Sequence, residues 1–335
     1  MLYPFSSFFL ITLLIGMILS LSASSWFAAW VGLELNLLSF IPIISIKSNP
    51  YSSESAIKYF LIQTLGSTFL FMASCLLLTS QSLSTLIIVT ALLLKLGSAP
   101  FHFWFPQVME GLKWPQAFIL ISIQKLAPMI LISYILINNH IYKIIILSSI
   151  LSAIVGALGG LNSLQLRKIM AFSSINHISW MFMGLIMNNL YWLMYFFFYT
   201  FISASVISLF HLLNTFNMTD MLKSNPNSLL LLTLSFSLLS LGGLPPFTGF
   251  VPKWIMVQVL SMNFMIIPLF FLLLSTLITL YFYLRIIIPL ILLYTPITSQ
   301  TMMSSLYPTH QPMFLLMFFF FNFIGLILPI PFILL

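Results

Sequence analysis

Residues 94–106 read LKLGSAPFHFWFP, which sets a lysine, a glycine and two prolines inside what would otherwise be one apolar helix. Proline has no backbone N–H and its ring collides with the preceding turn, so a helix cannot run undisturbed through Pro100 or Pro106. A second stretch, 243–252, reads GLPPFTGFVP. Laid over 97–106 at an offset of 146 residues, it repeats the glycine, the proline three residues on, the next phenylalanine, an aromatic and the closing proline. Lys95 stands just before the first copy and Lys253 just after the second. Each interruption therefore carries its own amine, the pattern expected of an ion pathway.

Working outward, the chain of 335 residues is 61% hydrophobic and 4% charged, against about 25% charged in ordinary globular domains. That excludes a soluble domain and predicts an all-α polytopic membrane protein. The net charge of +7 comes from bases scattered singly, with no stripe to track a phosphate backbone, so a nucleic-acid partner is excluded. One cysteine, Cys75, allows neither an internal disulfide nor an iron–sulfur site and is expected in the core. No GxGxxG, P-loop or metal-ligand spacing occurs, so no nucleotide, flavin or metal site is expected. The opening MLYPFSSFFL has neither a basic n-region nor Arg-rich amphipathic character, which predicts insertion without a cleaved address. Nineteen methionines and four acids fit synthesis inside an organelle.

Apolar windows of about 20 residues, enough to span roughly 30 Å of hydrocarbon, fall at 3–22, 25–46, 54–79, 83–109, 115–138, 142–160, 166–187, 190–213, 228–262, 267–293 and 312–334. About 11 transmembrane helices are therefore expected. The ninth window is too long for one straight span and holds Gly242, Gly243, Pro245 and Pro246, so it must be broken. Two discontinuous helices at matching places suggest pseudo-symmetric inverted repeats, as in antiporter-like transporters. The halves are set at 1–138 and 139–293, followed by a C-terminal loop and last helix at 294–335. Polar connections are expected at 214–227 and 294–311. Loops after even-numbered windows, together with their flanks, hold Lys47, Lys58, Lys113, Arg167, Lys168 and Lys223, and those after odd-numbered windows hold Lys143. The positive-inside rule then puts the N-terminus on the matrix-equivalent side and the C-terminus opposite.

Glu34, Lys95, Lys125 and Lys253 fall near mid-membrane, while Arg285 lies close enough to a helix end to snorkel. A charge at that depth costs roughly 2.5–3.5 kcal/mol, so four unpaired ones would rival the stability of a whole domain. Freed backbone groups at a break must be satisfied by protein or by water, and water carries protons. Lysine suits such a site because burial favours its neutral form and a nearby carboxylate its charged form, whereas arginine does not deprotonate. Blander readings stand beside these. A lone buried lysine can simply be neutral, Glu34 can be a structural partner, and His102 and His177 can be structural hydrogen-bonding groups as readily as relays. Glu54 and Lys58 read as a surface pair. His140 and His310 are expected in loops, and His211 near a helix end. The Phe runs at 196–198 and 318–321 are expected to face lipid.

WVGLELN at 30–36, LKLGSAPFHFWFP, QKLAP at 124–128, GGLNSLQLRKIMAFSSINH at 159–177 and GGLPPFTGFVPKW at 242–254 occur in order. Together they resemble the chain 2 family of mitochondrial NADH:ubiquinone oxidoreductase, respiratory complex I, over about residues 25–285. The resemblance implies a proton-translocating, antiporter-like membrane-arm subunit, similar to the eleven-helix animal form that lacks the first three helices of its longer relatives. It implies proton-transfer roles for Glu34 paired with Lys95, for Lys125 on the central axis and for Lys253 in the second break. Beside these, Ser98, Thr248 and His177 are expected to order water. It further implies a hetero-oligomer with other membrane-arm subunits and lipid in the mitochondrial inner membrane. NADH, FMN, iron–sulfur clusters and ubiquinone would then belong to other subunits, with no cofactor in this chain. Some relatives carry an acid directly after the closing proline, where this chain has Gln107, with Glu110 a turn later. A free-standing cation/proton antiporter is the rival reading; a scaffold whose buried charges only fix helix register is another.

Overall fold

The computed structural model describes residues 4–45, 49–77, 79–136, 139–223, 228–294, 317 and 320–322. Among them the chain forms α1 (Pro4–Ser22), α2 (Trp26–Ser45), α3 (Pro50–Leu76), α4 (Gln81–Leu96), α5 (Trp104–Gly111), α6 (Trp114–Ile121) and α7 (Ile123–Ile135). There follow α8 (Asn139–Leu161), α9 (Leu166–Met187), α10 (Asn189–Leu213), α11 (Met218–Lys223), α12 (Ser228–Gly242), α13 (Phe250–Met262) and α14 (Ile266–Tyr294). Seven spans among these residues are long and apolar enough to cross a membrane: α2, α3, α6 with α7, α8, α9, α10 and α14. The shorter apolar helices α1, α4, α12 and α13 fill the other expected windows. The window at 312–334, apart from 317 and 320–322, lies outside the described residues, as do Lys47, His310 and 295–311.

The chain divides within α8 into two compact units, Met1–Ser152 and Ala153–Leu335; the sequence places the division ahead of that helix, at 138/139. In the first unit α2 lies between α1 and α3, and α3 packs on α4 and α5, while α7 packs on α4 and α1. Gly16 and Gly32 bring α1 and α2 into backbone contact, since a Cβ on Gly32 would lie 2.5 Å from the Ser20 nitrogen. In the second unit α9 is the central helix, touching α10, α13 and α14. Buried serines satisfy themselves where water is absent. Ser39, Ser67, Ser173, Ser174, Ser237 and Ser240 each donate to the carbonyl three residues back.

Both breaks are built by the same local chemistry. α4 ends on Gly97 at φ 68° and α12 on Gly243 at φ 76°, a left-handed conformation that glycine adopts without a Cβ clash. Gly97 N–H donates to Leu94 O at 3.1 Å and Ser98 N–H to Leu93 O at 3.3 Å. Gly243 N–H donates to Ser240 O at 3.0 Å and Leu244 N–H to Leu239 O at 3.4 Å. Both are Schellman turns, and every donor and acceptor is displaced by the same 146 residues as the sequence match. The chain resumes helix at Trp104 and Phe250, again 146 apart.

Several expectations change. The window 115–138 is interrupted at Ser122. Pro128 denies the Gln124 carbonyl its helical donor, the Ser122 hydroxyl donates to Phe118 O at 2.6 Å, and Lys125 N–H takes Ser122 O in a tighter turn. The connection at 214–227 contains α11, held by Leu166 N–H to Phe216 O and Met218 N–H to Leu164 O. His140 begins α8 and is not in a loop. Cys75 is exposed on α3 and not in the core. Phe196 and Phe198 are buried and Phe197 is exposed, because successive helical residues point about 100° apart. Arg285 does not snorkel freely, since its Nη1 donates at 2.7 Å to Leu161 O, the last carbonyl of α8.

One side chain joins two helix ends in the first unit. Gln116 Oε1 accepts from Lys113 N–H at 3.0 Å at the start of α6, and its Nε2 donates to Ile43 O at 2.5 Å near the end of α2. We expect Gln116→Leu, which keeps the bulk and loses both bonds, to destabilise the folded chain by about 1–3 kcal/mol, read as a lower thermal midpoint and a smaller assembled fraction. Gly32→Leu should be worse, driving α1 from α2, and the same measurement should find little chain incorporated.

Candidate functional site

The kink at Ser122 aims the first turn of α7 into the first unit, so that Lys125 is 1% exposed and its Nζ lies 5.1 Å from the centroid of Phe105, within cation–π range. Phe105 is on α5, immediately beyond the first break. Lys95 occupies the last turn of α4 and is 7% exposed. Its stem runs along Gly66 of α3, where a Cβ would meet Lys95 Cγ at 3.1 Å. The two lysines line one cavity together with Asn36, Tyr59, Gln63, Trp104 and Gln124. Space for water centres there is about 20 Å³, and one water requires about 10–15 Å³.

Glu34, on α2, is half-buried, and its Oε2 is buried without a hydrogen-bond partner among the described residues. Glu34 and Lys95 are not in contact as an ion pair among the described residues. His102 lies in the first break, half-buried, with Nδ1 3.2 Å from Pro100 O and its ring 4.1 Å from Phe103. It does not line the cavity. The Ser98 hydroxyl is engaged with Leu93 O at 3.2 Å inside the Schellman turn.

In the second unit Lys253 sits in the first turn of α13 and reaches back across its own break. Its Nζ donates to Gly242 O at 2.8 Å and to Leu241 O at 3.3 Å, carbonyls left open where α12 ends and where the helix dipole is negative. Leu241 is the repeat partner of Lys95, whose own carbonyl accepts instead from Gln63 Nε2 at 3.2 Å. The equivalent carbonyl is therefore capped by a neutral amide in one break and by an amine in the other. His177 is buried, with Nδ1 2.9 Å from the Tyr195 hydroxyl and its ring 4.6 Å from Tyr199. These three line a second cavity with Ser240, Leu241, Gly249 and Pro252, next to Lys253 in the chain. Thr248 is fully buried, its hydroxyl without a hydrogen-bond partner among the described residues.

Sequence reasoning weighed charged residues and histidines and passed over Asn36, Tyr59, Gln63, Gln124, Tyr195 and Tyr199. For the amides a signal exists, since Gln63 and Gln124 are neutral polar groups in the middle of apolar windows and Asn36 follows Glu34 by two positions. The tyrosines carry none.

Residues 23–279 match the transmembrane family described as NADH:quinone oxidoreductase/Mrp antiporter. NADH-ubiquinone oxidoreductase chain 2 of Anopheles gambiae is 46% identical over 294 residues, 84% of each chain. That of Symphalangus syndactylus is 41% identical over 317 residues, 91% of each. Among solved structures, a chain of respiratory complex I from Thermus thermophilus superposes with a TM-score of 0.76 at 22% identity, covering 86% of this chain and 71% of that one. A chain of the Mrp complex from Dietzia gives 0.73 at 16% identity over 83% of this chain and 59% of that one. The fold is shared with both. On the length and identity of these matches, the chain belongs to the NADH:quinone oxidoreductase/Mrp antiporter transmembrane family, in its NADH-ubiquinone oxidoreductase chain 2 group.

Proposed function

We propose that this chain is a proton-translocating membrane-arm subunit of respiratory complex I, in which buried amines pass protons while NADH oxidation and ubiquinone reduction proceed in other subunits. The observation that carries this reading is the single cavity lined by both Lys95 and Lys125. Glu34 modulates Lys95 through space, Lys125 relays the proton in the first unit, and Lys253 serves the second half-pathway beside His177. His102, turned onto its own loop, has a lesser part. The chain supplies no redox centre; one cysteine is too few to ligate an iron–sulfur cluster. Its setting is a hetero-oligomer in the mitochondrial inner membrane, multi-pass, with the N-terminus on the matrix side and the C-terminus on the intermembrane-space side. Relatives named for NADH-ubiquinone oxidoreductase, 46% and 41% identical, support this over a free-standing antiporter.

In the assembled complex, Lys125→Met is expected to lower proton transport coupled to NADH oxidation by about tenfold or more. Lys125→Arg, which keeps the charge and cannot release the proton, should be equally impaired. Normal pumping by an assembled Lys125→Met complex would refute the assignment. At Lys253 structure and proton transfer can be separated. Lys253→Gln keeps an N–H donor for the Leu241 and Gly242 carbonyls, so the complex should assemble and fail to pump, whereas Lys253→Met should also reduce assembly, as measured on native gels.

A further inference from the structure

The first cavity holds a hydrogen-bonded chain that neither lysine requires for its own burial. Tyr59, 2% exposed, donates its hydroxyl to Gln124 Oε1 at 3.3 Å, and Gln124 Nε2 donates to Asn36 Oδ1 at 2.9 Å. The residues come from α3, α7 and α2 respectively, and all three line the same cavity as Lys95 and Lys125. With the two amides turned as they are in this structure, the bonds run in one direction. Asn36 takes an N–H of Gln124, which turns the amide oxygen toward Tyr59, and Tyr59 must then spend its proton on that oxygen. Only lone pairs of the Tyr59 hydroxyl are left for the cavity. Water beside it must donate to it. The amides do not ionise, so they orient a path and carry no proton themselves.

We propose that Asn36, Gln124 and Tyr59 are positioning residues that order water between Lys95 and Lys125, giving a proton one defined route between the two amines. The proposal rests on the reading of those lysines as proton carriers. In the step, one N–H bond of the Lys95 ammonium breaks and one forms on the neutral Lys125 amine. The intervening water exchanges one O–H for another, and Tyr59 keeps its proton. The reverse transfer uses the same path. Phe105 and Trp104 line the same cavity, and Gln63 is its further polar side chain beside the bridge and the two amines.

The test uses the assembled complex in sealed vesicles, comparing Tyr59→Phe, Gln124→Leu and Gln124→Glu with the parent and with Lys125→Met. Tyr59→Phe removes one hydroxyl and is expected to slow proton-coupled ubiquinone reduction about three- to tenfold, the equivalent of one net hydrogen bond. It should also enlarge the slowing caused by D2O, while NADH oxidation by an artificial acceptor stays unchanged. Gln124→Leu should lose at least as much, and Gln124→Glu, which still accepts from Tyr59, should recover part of it. A purely structural bridge would lower assembly and leave turnover per assembled complex and its isotope effect at parental values. That outcome in Gln124→Leu overturns the proposal, whether or not Tyr59→Phe assembles, provided Lys125→Met is inactive. If Lys125→Met pumps normally, the reading of the lysines fails and the bridge falls with it.

Discussion

A carbonyl that loses its helical donor inside apolar surroundings must find another, because leaving it unmade costs about 1–3 kcal/mol. This requirement governs both interruptions. The Schellman turns at Gly97 and Gly243 return some of the open carbonyls to the backbone. Trp104 Nε1 takes Leu94 O at 3.1 Å. What is left over is met by Gln63 in the first unit and by Lys253 in the second. The amines are thus part of the same accounting that allows the helices to stop inside the protein.

The repeat keeps the Schellman turn and the 146-residue register of the helices on either side, with a cis bond at Ala99–Pro100 in the first copy alone, and exchanges the chemistry placed on this frame. Lys95 belongs to the helix before its break and Lys253 to the helix after, and the position equivalent to Lys253 in the first copy is Gln107. A neutral amide caps the Lys95 carbonyl, and Lys95 lines the cavity it shares with Lys125. The Lys253 amine is held against the end of α12. The two lysines are therefore not interchangeable, although the sequence motif presents them as a pair.

Class, spans and breaks were legible in the chain because each leaves a local mark: runs of apolar residues, and Gly and Pro at a fixed offset. The lysines were legible too, since a charge in such a run is conspicuous. The kink at Ser122 was harder to read, because it depends on Pro128 acting on a carbonyl four residues earlier together with a serine hydroxyl. The Tyr59–Gln124–Asn36 chain was not legible, because its members lie on three helices and meet only after packing. The same holds for Glu34, whose motif suggests a partner in contact, while no ion pair joins it to Lys95 among the described residues.

The Gln116 side chain, described above as closing two helix ends, also works as a strut. It fixes the end of the helix that carries Glu34 and Asn36 to the beginning of the segment that leads into Gln124 and Lys125. With that anchor in place, α2 cannot slide along its axis without dragging α6. The segment α6–α7 is thereby tied to α2 at two levels, at Gln116 near the end of α2 and at Gln124 beside Asn36, so two side-chain amides set the register between the helix that carries Glu34 and the one that carries Lys125.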